Sequence, residues 1–213
     1  GKQQMKKLVA LTMALVMTLA FGYVTMASTM GIGAGEGFSV EISNQIDPSS
    51  DEINVTGYYG LNEQTQFSLG YGTDSKDITL GARYAFNNKM AATLDHTIAD
   101  AENASDVTAL GFRYKTQLNN ALALAGELSY ADADEVTAMG LKGQAEYKFN
   151  DMFVGNLGFH YIDTDIEGLD ATTNIIAGIE VNPVDNFSAF VDYTIMDDDN
   201  AEDTIELGIS YAL

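Results

Sequence analysis

The chain has 213 residues, no cysteine and a formal net charge of −21. The absence of cysteine excludes disulfides and thiolate metal sites, and the acidic balance excludes nucleic acid as a partner, because phosphate binding needs clustered lysine and arginine. A hydrophobic content of 46% excludes a disordered chain.

The first predicted element is a leader segment. Residues 1–4, upstream of the first methionine, are interpreted as a remnant. Two lysines, an apolar run at 8–20 and small residues at 25–27 follow, which is the order typical of a secretory signal peptide. A transmembrane anchor is the alternative, but the apolar run is short and no basic stop-transfer segment follows it. The sequence therefore predicts a signal peptide at 1–27 and one mature domain at 28–213.

From Phe38 onward, apolar and polar residues alternate in segments of about ten residues, the length that a tilted membrane strand needs. The pattern predicts twelve strands, with ten or fourteen as the alternatives. The weakest pattern is that of the first strand, and the unusual length of the eighth predicts a β-bulge. The predicted strands are 38–46, 52–61, 65–72, 77–86, 90–99, 107–117, 121–131, 136–149, 152–162, 171–181, 186–196 and 204–213.

The joints between these segments alternate between two kinds. Five are short and contain asparagine, which favours tight turns: 62–64, 87–89, 118–120, 150–151 and 182–185. Six are mostly longer and acidic: 47–51, 73–76, 100–106, 132–135, 163–170 and 197–203. Both prolines, Pro48 and Pro183, fall in joints in this assignment. Alternating short turns and long loops predict an up-and-down antiparallel sheet.

Tyrosines recur near both ends of the predicted strands, on the apolar face. A tyrosine side chain has an apolar ring and one polar hydroxyl group, which suits the interface between membrane and water. These residues therefore predict two aromatic belts, one at each interface. One belt, near the short turns, is predicted to contain Tyr84, Tyr114, Tyr147 and Tyr211. The other, near the long loops, is predicted to contain Tyr71, Tyr130, Tyr161 and Tyr193.

The last segment alternates strictly up to the final residue, with Glu206, Gly208, Tyr211 and Leu213 at set spacings. This order resembles the C-terminal assembly signal of bacterial outer-membrane β-barrels, and Leu213 stands where that family usually ends in phenylalanine. The whole mature chain resembles the small porin-like barrels of that family. The resemblance implies a bacterial outer-membrane location, recognition by the barrel-assembly machinery, and contact with outer-membrane lipid and lipopolysaccharide.

The predicted fold is therefore all-β, a transmembrane antiparallel up-and-down barrel of about twelve strands. A soluble barrel or sandwich alternates in the same way with its apolar face turned inward, and the leader, the joints, the tyrosines and the terminal signal together favour the membrane. In that reading lipid contacts are expected at Leu80, Leu110, Leu124, Leu141, Leu157, Ile179, Val191 and Leu207.

The opposite face is then the lumen, and a charge at membrane depth requires water or a partner there. The charged residues predicted to line the lumen are Glu41, Arg83, Asp95, Arg113, Lys115, Glu127, Lys142, Glu146, Lys148, Glu180, Asp192 and Glu206. If the basic and the acidic residues of this set lie on separate walls and do not pair, the lumen is a narrow pore for ions and small hydrophilic solutes. If Arg83 pairs with Asp95 and Arg113 with Glu127, they form a plug instead. Twelve strands favour the pore, as do the inward glycines at 70, 81, 111, 140, 158, 178 and 208.

The acidic loops have two interpretations. A solvated charged surface is the simpler one. Binding of Ca²⁺ or Mg²⁺ by loosely arranged oxygen ligands is the other, with candidates Asp163, Asp165, Asp197, Asp198 and Asp199. The alternative function for the whole chain is accordingly a closed structural or adhesive barrel whose loops bind cations or a partner.

Catalysis is not expected, and no cofactor is predicted. A twelve-stranded phospholipase family carries a histidine and a serine two positions apart on the outer wall, and neither His96 nor His160 has that spacing. Asp95 and His96 are neighbours in a strand, so they lie on opposite faces and cannot form an orienting pair.

Overall fold

The computed structural model describes residues 37–101, 104–134, 136–166, 170–197 and 201–213. These residues form a closed barrel of twelve antiparallel strands, which confirms the predicted count and the all-β class. The predicted leader, 1–27, lies outside the described residues. Among those described, no helix is long and apolar enough to cross a membrane. The strands are β1 (Gly37–Asp47), β2 (Ser49–Gly60), β3 (Thr65–Gly72), β4 (Ile78–Asn87), β5 (Met90–Ile98), β6 (Val107–Gln117), β7 (Leu122–Ala133), β8 (Val136–Lys148), β9 (Phe153–Thr164), β10 (Thr172–Val184), β11 (Phe187–Ile195) and β12 (Thr204–Ala212).

Each strand pairs with its sequence neighbours, and β12 returns to pair with β1. In that closing ladder Ile42 lies opposite Ile209 and Glu41 opposite Ser210. Closure leaves no unpaired sheet edge, so the backbone polar groups of every strand are satisfied within the barrel. The five short turns lie at one end, called the turn end below, and the six other connections lie at the loop end.

The turn end is built by asparagine side chains, as predicted. Asn62 Oδ1 accepts hydrogen bonds from the backbone N–H groups of residues 64 and 65, and Asn119 Oδ1 from those of residues 121 and 122. Asn150 Oδ1 does the same for residues 152 and 153. These bonds replace ladder hydrogen bonds where the chain reverses, which fixes the register of the following strand.

Three details of the strand assignment were wrong. The predicted loop at 47–51 is a single residue, Pro48, because β1 and β2 extend toward each other until Ile46 pairs with Ser49. Pro183 lies inside β10, where the register shifts between Val181 and Val184, so a bulge accommodates the missing N–H group. The eighth strand pairs with both neighbours without a register shift, so the bulge predicted there is absent.

The two faces of the barrel have the polarity of a membrane protein. Large apolar side chains are exposed around the outside, including all eight predicted lipid contacts, from Val191 at 39% exposed to Leu157 at 59%. The buried residues inside are largely polar or charged, or are small and apolar. A soluble barrel buries its large apolar residues, so this arrangement excludes the soluble alternative.

Candidate functional site

The interior contains a cavity of about 320 Å³ along the wall formed by β1–β6 and β12. Its lining includes Ser75 and Asp77 at the loop end. It also includes Ser39 and Ala212, which lie opposite each other at the turn end. Residues at both ends therefore line one cavity, which extends along most of the barrel.

Four of the predicted lumen charges line this cavity: Glu41, Arg83, Asp95 and Arg113. Arg83 and Asp95 are both in its wall, and their pairing stays a prediction. Tyr58 lines the cavity as well and was missed by the sequence analysis. The parity of β2 could have found it, because Asn54 and Thr56 face inward and Tyr58 follows at the same spacing.

Beside this cavity, three charged residues form one buried cluster, and one of them, Arg113, also lines the cavity. Arg113, Glu127 and Lys142 lie directly opposite one another on β6, β7 and β8. Arg113 Nε donates to Glu127 Oε2, so this expected pairing is present, and Lys142 Nζ lies 3.9 Å from Glu127 Oε1. All three residues are only 7–8% exposed. One carboxylate thus lies between two buried cations, and the three side chains fill this part of the lumen.

Two more predicted charges form an ion pair closer to the turn end. Lys115 Nζ lies 2.5 Å from Glu146 Oε2. Lys148, which is also predicted to line the lumen, lies at the turn-end terminus of β8 and is exposed. It binds Asp151 in the adjoining turn at 2.8 Å, and this hydrogen bond holds the pKa of Asp151 below its usual range.

The remaining predicted lumen charges form an acidic wall. Glu180, Asp192, Glu206 and Glu41 lie on β10, β11, β12 and β1, and none of these strands contains a lysine or arginine. Asp192 and Glu41 are 5% and 1% exposed. The Asp192 carboxylate lies over Gly178, where an added Cβ would stand 1.7 Å from Asp192 Oδ1. A glycine is therefore required in β10 for this carboxylate to fit inside the barrel.

Some other inward glycines have the same role and do not widen the lumen, whereas Gly70 lines the cavity and an added Cβ there would meet only ordinary contacts at 3.4 Å or more. A Cβ at Gly81 would stand 2.1 Å from Ser68 Oγ and 2.5 Å from Asp95 Oδ1. A Cβ at Gly208 would stand 2.1 Å from the ring of Phe190, which is buried inside the barrel. These glycines make room for side chains from neighbouring strands, and the space they leave is occupied.

The interior also contains an apolar cluster that the sequence analysis missed. It lies at the loop end of β6–β9 and includes Ile166, which enters from the β9–β10 loop and is 7% exposed. Its other members are Val107, Ala131, Ala133, Val136, Ala138 and Ile162. The lumen is therefore not polar throughout. The signal was available, since the inward positions of these strands change from charged residues to alanine, valine and isoleucine toward the loop end.

The predicted tyrosine belts lie where the parity placed them. All eight rings are on the outer face, between 38% exposed for Tyr161 and 49% exposed for Tyr147. Tyr193 is tied to the β11–β12 loop, because its O–H group donates to Asp203 Oδ2 at 2.5 Å. That bond and the N–H group of Met196, which also donates to this carboxylate, hold the pKa of Asp203 below its usual value.

The residues of the predicted assembly signal lie on or beside β12. Glu206 and Gly208 face inward, whereas Tyr211 and Leu213 are 45% and 80% exposed on the other face. The N–H group of Leu213 donates to the carbonyl of Phe38 at 2.8 Å, which extends the closing ladder to the last residue.

Several acidic loop residues accept hydrogen bonds from the loop backbone. Asp165 Oδ1 accepts from the N–H of Thr137 at 2.8 Å, and Asp106 Oδ1 from that of residue 99 at 3.1 Å. Of the proposed cation ligands, Asp163, Asp165 and Asp197 are described, and Asp198 and Asp199 lie outside the described residues. Within the described ranges, no three acidic or histidine side chains are placed to hold a metal ion. Loose cation binding by the loops stays a prediction.

The two histidines lie on opposite faces. His96 Nδ1 lies 3.0 Å from Thr108 Oγ1 on the outer wall, while its neighbour Asp95 faces the cavity. His160 is 3% exposed inside the barrel.

No protein-family model matches the chain, and no curated protein matches it. Solved structures do. The NanC porin is similar over 83% of this chain and 100% of its own, at a TM-score of 0.63 and 11% identity. The KdgM porin is similar over 83% of this chain and 98% of its own, at a TM-score of 0.61 and 12% identity. The outer membrane protein Omp33 of Acinetobacter baumannii is similar over 86% of this chain and 100% of its own, at a TM-score of 0.54 and 13% identity. Taken with its apolar exterior and polar interior, the chain has the fold of a small porin-like β-barrel of the bacterial outer membrane.

Proposed function

We propose that the protein is a narrow porin-like channel for the passive diffusion of ions and small hydrophilic solutes. The observation that carries this proposal is the cavity along β1–β6 and β12, which polar residues line from the loop end to the turn end. Solutes would pass along this side of the interior, because the Arg113–Glu127–Lys142 cluster fills the lumen next to β6–β8.

The size of the cavity limits the solutes. The cavity volume is about 320 Å³. This is the lower end of the range for cavities that hold small organic ligands. The KdgM porin has been solved in complex with oligogalacturonate, but the dimensions here favour hydrated ions and smaller solutes.

The charge of the cavity favours cations. Its lining has three carboxylates, Glu41, Asp77 and Asp95, against two guanidinium groups, Arg83 and Arg113. The net charge of −21 adds a long-range attraction for cations at the mouths. Added salt would weaken this preference, since exposed charges are screened over about 8–10 Å.

The test is planar-bilayer conductance of the purified protein. We expect discrete current steps, with a preference for K⁺ over Cl⁻ in dilute KCl. Arg83→Ala should shift the reversal potential further toward cations, whereas Lys89→Ala, which removes an exposed charge in the β4–β5 turn, should change it little. An unchanged reversal potential in the Arg83 variant would contradict the assignment of the conducting path.

A closed structural or adhesive barrel is the second candidate. The buried ion cluster and the apolar cluster of β6–β9 favour it, because both occupy the interior next to these strands. In that case the wild-type protein would not conduct, and leakage would start only when Arg113 is replaced by alanine.

A further inference from the structure

The β3–β4 loop, residues 73–77, is fastened to β2 at the loop end of the barrel. The N–H group of Thr73 donates to the carbonyl of Ile53 at 3.0 Å, and the N–H group of Ile53 donates to Thr73 Oγ1 at 2.9 Å. At the far end of the loop, the N–H groups of Gly72 and Lys76 donate to the carbonyls of Asp77 and Gly72. The loop is thus bonded to itself and to β2.

Glu52 provides the central attachment. Its side chain faces inward from β2 at the loop end. Glu52 Oε2 accepts hydrogen bonds from the N–H groups of Asp74 at 3.1 Å and Ser75 at 2.8 Å. Ser75 Oγ donates to Glu52 Oε1 at 3.1 Å. One carboxylate therefore holds three donors of the loop, and hydrogen bonds to a charged acceptor are among the stronger ones.

The backbone around this carboxylate is shaped to receive it. A Cβ at Gly72 would stand 2.0 Å from Glu52 Oε1 and 2.4 Å from Ser75 Oγ, so only glycine leaves room for the attachment. Lys76 adopts a left-handed conformation, with φ at 59°. Non-glycine residues rarely adopt it, so the surrounding hydrogen bonds must hold it in place.

The hydrogen bonds that hold the loop place Asp77, its last residue, beside the conducting path of the proposed channel. Ser75 and Asp77 line the cavity at the loop end. The side chain of Asp77 is also held by the β5–β6 loop, because Asp77 Oδ1 accepts a hydrogen bond from the N–H group of Asp100 at 3.0 Å.

We infer that Glu52 is a latch that holds the β3–β4 loop in the loop-end mouth of the cavity, and that the latched loop makes Asp77 a specificity-determining residue. This inference rests on the proposed channel function. Release of the latch opens the mouth, and loss of the Asp77 charge with the latch intact changes selectivity and leaves the width unchanged.

The latch has a readout that does not depend on conduction. Lys76 is an exposed trypsin site within the loop, and Lys89 in the β4–β5 turn is a second exposed site at the other end of the barrel. In the purified, folded protein we expect slow cleavage after Lys76. Glu52→Ala should accelerate it about tenfold or more, since three hydrogen bonds are lost, while cleavage after Lys89 stays constant and serves as the internal reference.

Three variants complete the experiment, each first checked for heat-modifiable gel migration as evidence of folding. Glu52→Gln keeps one oxygen acceptor and should give cleavage between the wild type and Glu52→Ala. Asp77→Asn should keep wild-type resistance after Lys76. Glu63→Ala removes an exposed charge at the turn end and should change neither cleavage nor conduction.

Conduction in KCl separates the two roles. Glu52→Ala should raise the unitary current and its noise, whereas Asp77→Asn should lower the preference for K⁺ over Cl⁻ at an unchanged unitary current. Wild-type cleavage after Lys76 in both Glu52 variants overturns the latch. Wild-type selectivity in Asp77→Asn overturns the role of Asp77. If the wild type does not conduct, the channel and the role of Asp77 are refuted together, and the cleavage result still decides the latch.

Discussion

Replacing Glu127 with glutamine should destabilise the barrel by several kilocalories per mole. Glu127 is the shared partner of Arg113 and Lys142, and all three are 7–8% exposed. Removing one partner of a buried ion pair costs about 3–5 kcal/mol, because the remaining charge is left without compensation. Arg113 also lines the cavity, and water there can solvate it in part. We therefore expect about 3 kcal/mol, the lower end of that range.

The measurement is urea unfolding in lipid vesicles, followed by far-UV circular dichroism because the chain contains no tryptophan. Glu63→Gln, at an exposed position in a turn, is the matched control and should change stability by less than about 0.5 kcal/mol. A loss below about 1 kcal/mol for Glu127→Gln would show that water solvates the cluster and would refute the argument from burial. The combined replacement Arg113→Met, Glu127→Leu and Lys142→Met should recover most of the lost stability, since none of the three charges of the cluster remains.

Three further predictions follow from the two faces and the loop end. Leu110→Arg, on the lipid face, should cost about 2–4 kcal/mol in the same assay, and Gln66→Arg, facing the cavity, should cost little; equal costs would mean that the faces are inverted. Gly178→Ala should cost about 1–3 kcal/mol, because the new Cβ would displace the carboxylate of Asp192, and wild-type stability would contradict that packing. Burial raises the pKa of Asp77, so this residue loses its charge at a higher pH than an ordinary aspartate. The preference for K⁺ should accordingly fall as the pH is lowered from about 7 to about 4, and the fall should be smaller in Asp77→Asn, in which only the other carboxylates of the cavity remain.

The sequence was sufficient for the strand count because each strand has one face in lipid and one in the interior. That constraint forces a period of two on every strand, and asparagine turns such as those at Asn62 and Asn119 separate the segments. Strand ends were less predictable. Pro48 was assigned to a long loop and Pro183 to a turn, because proline disfavours pairing. In the barrel, Pro48 alone connects β1 and β2, and a bulge accommodates Pro183 in β10.

The organisation of the interior was beyond sequence reasoning for a different reason. Parity decides that a residue faces inward, but the side chain it meets depends on the register between strands. Ser68 and Asp95 both fill the space over Gly81, and this follows from ladders that pair residue 81 with both. The apolar cluster around Ile166 likewise needs a loop residue to fold back into the lumen, which alternation within strands does not encode.

The interior therefore has a filled region and an open cavity, so a pore and a plug are not mutually exclusive alternatives for this barrel. The cluster of Arg113, Glu127 and Lys142, with the apolar cluster above it, occupies the side of β6–β9, whereas the cavity follows β1–β6 and β12. A twelve-stranded barrel is wide enough that filling one side need not close the other. In the proposed channel, the filled side would act as a wall of the conduit, and Arg113 belongs to both the cluster and the cavity lining. Its contact with Glu127 holds the guanidinium in place, so the width and the charge of the proposed path depend on this buried ion pair.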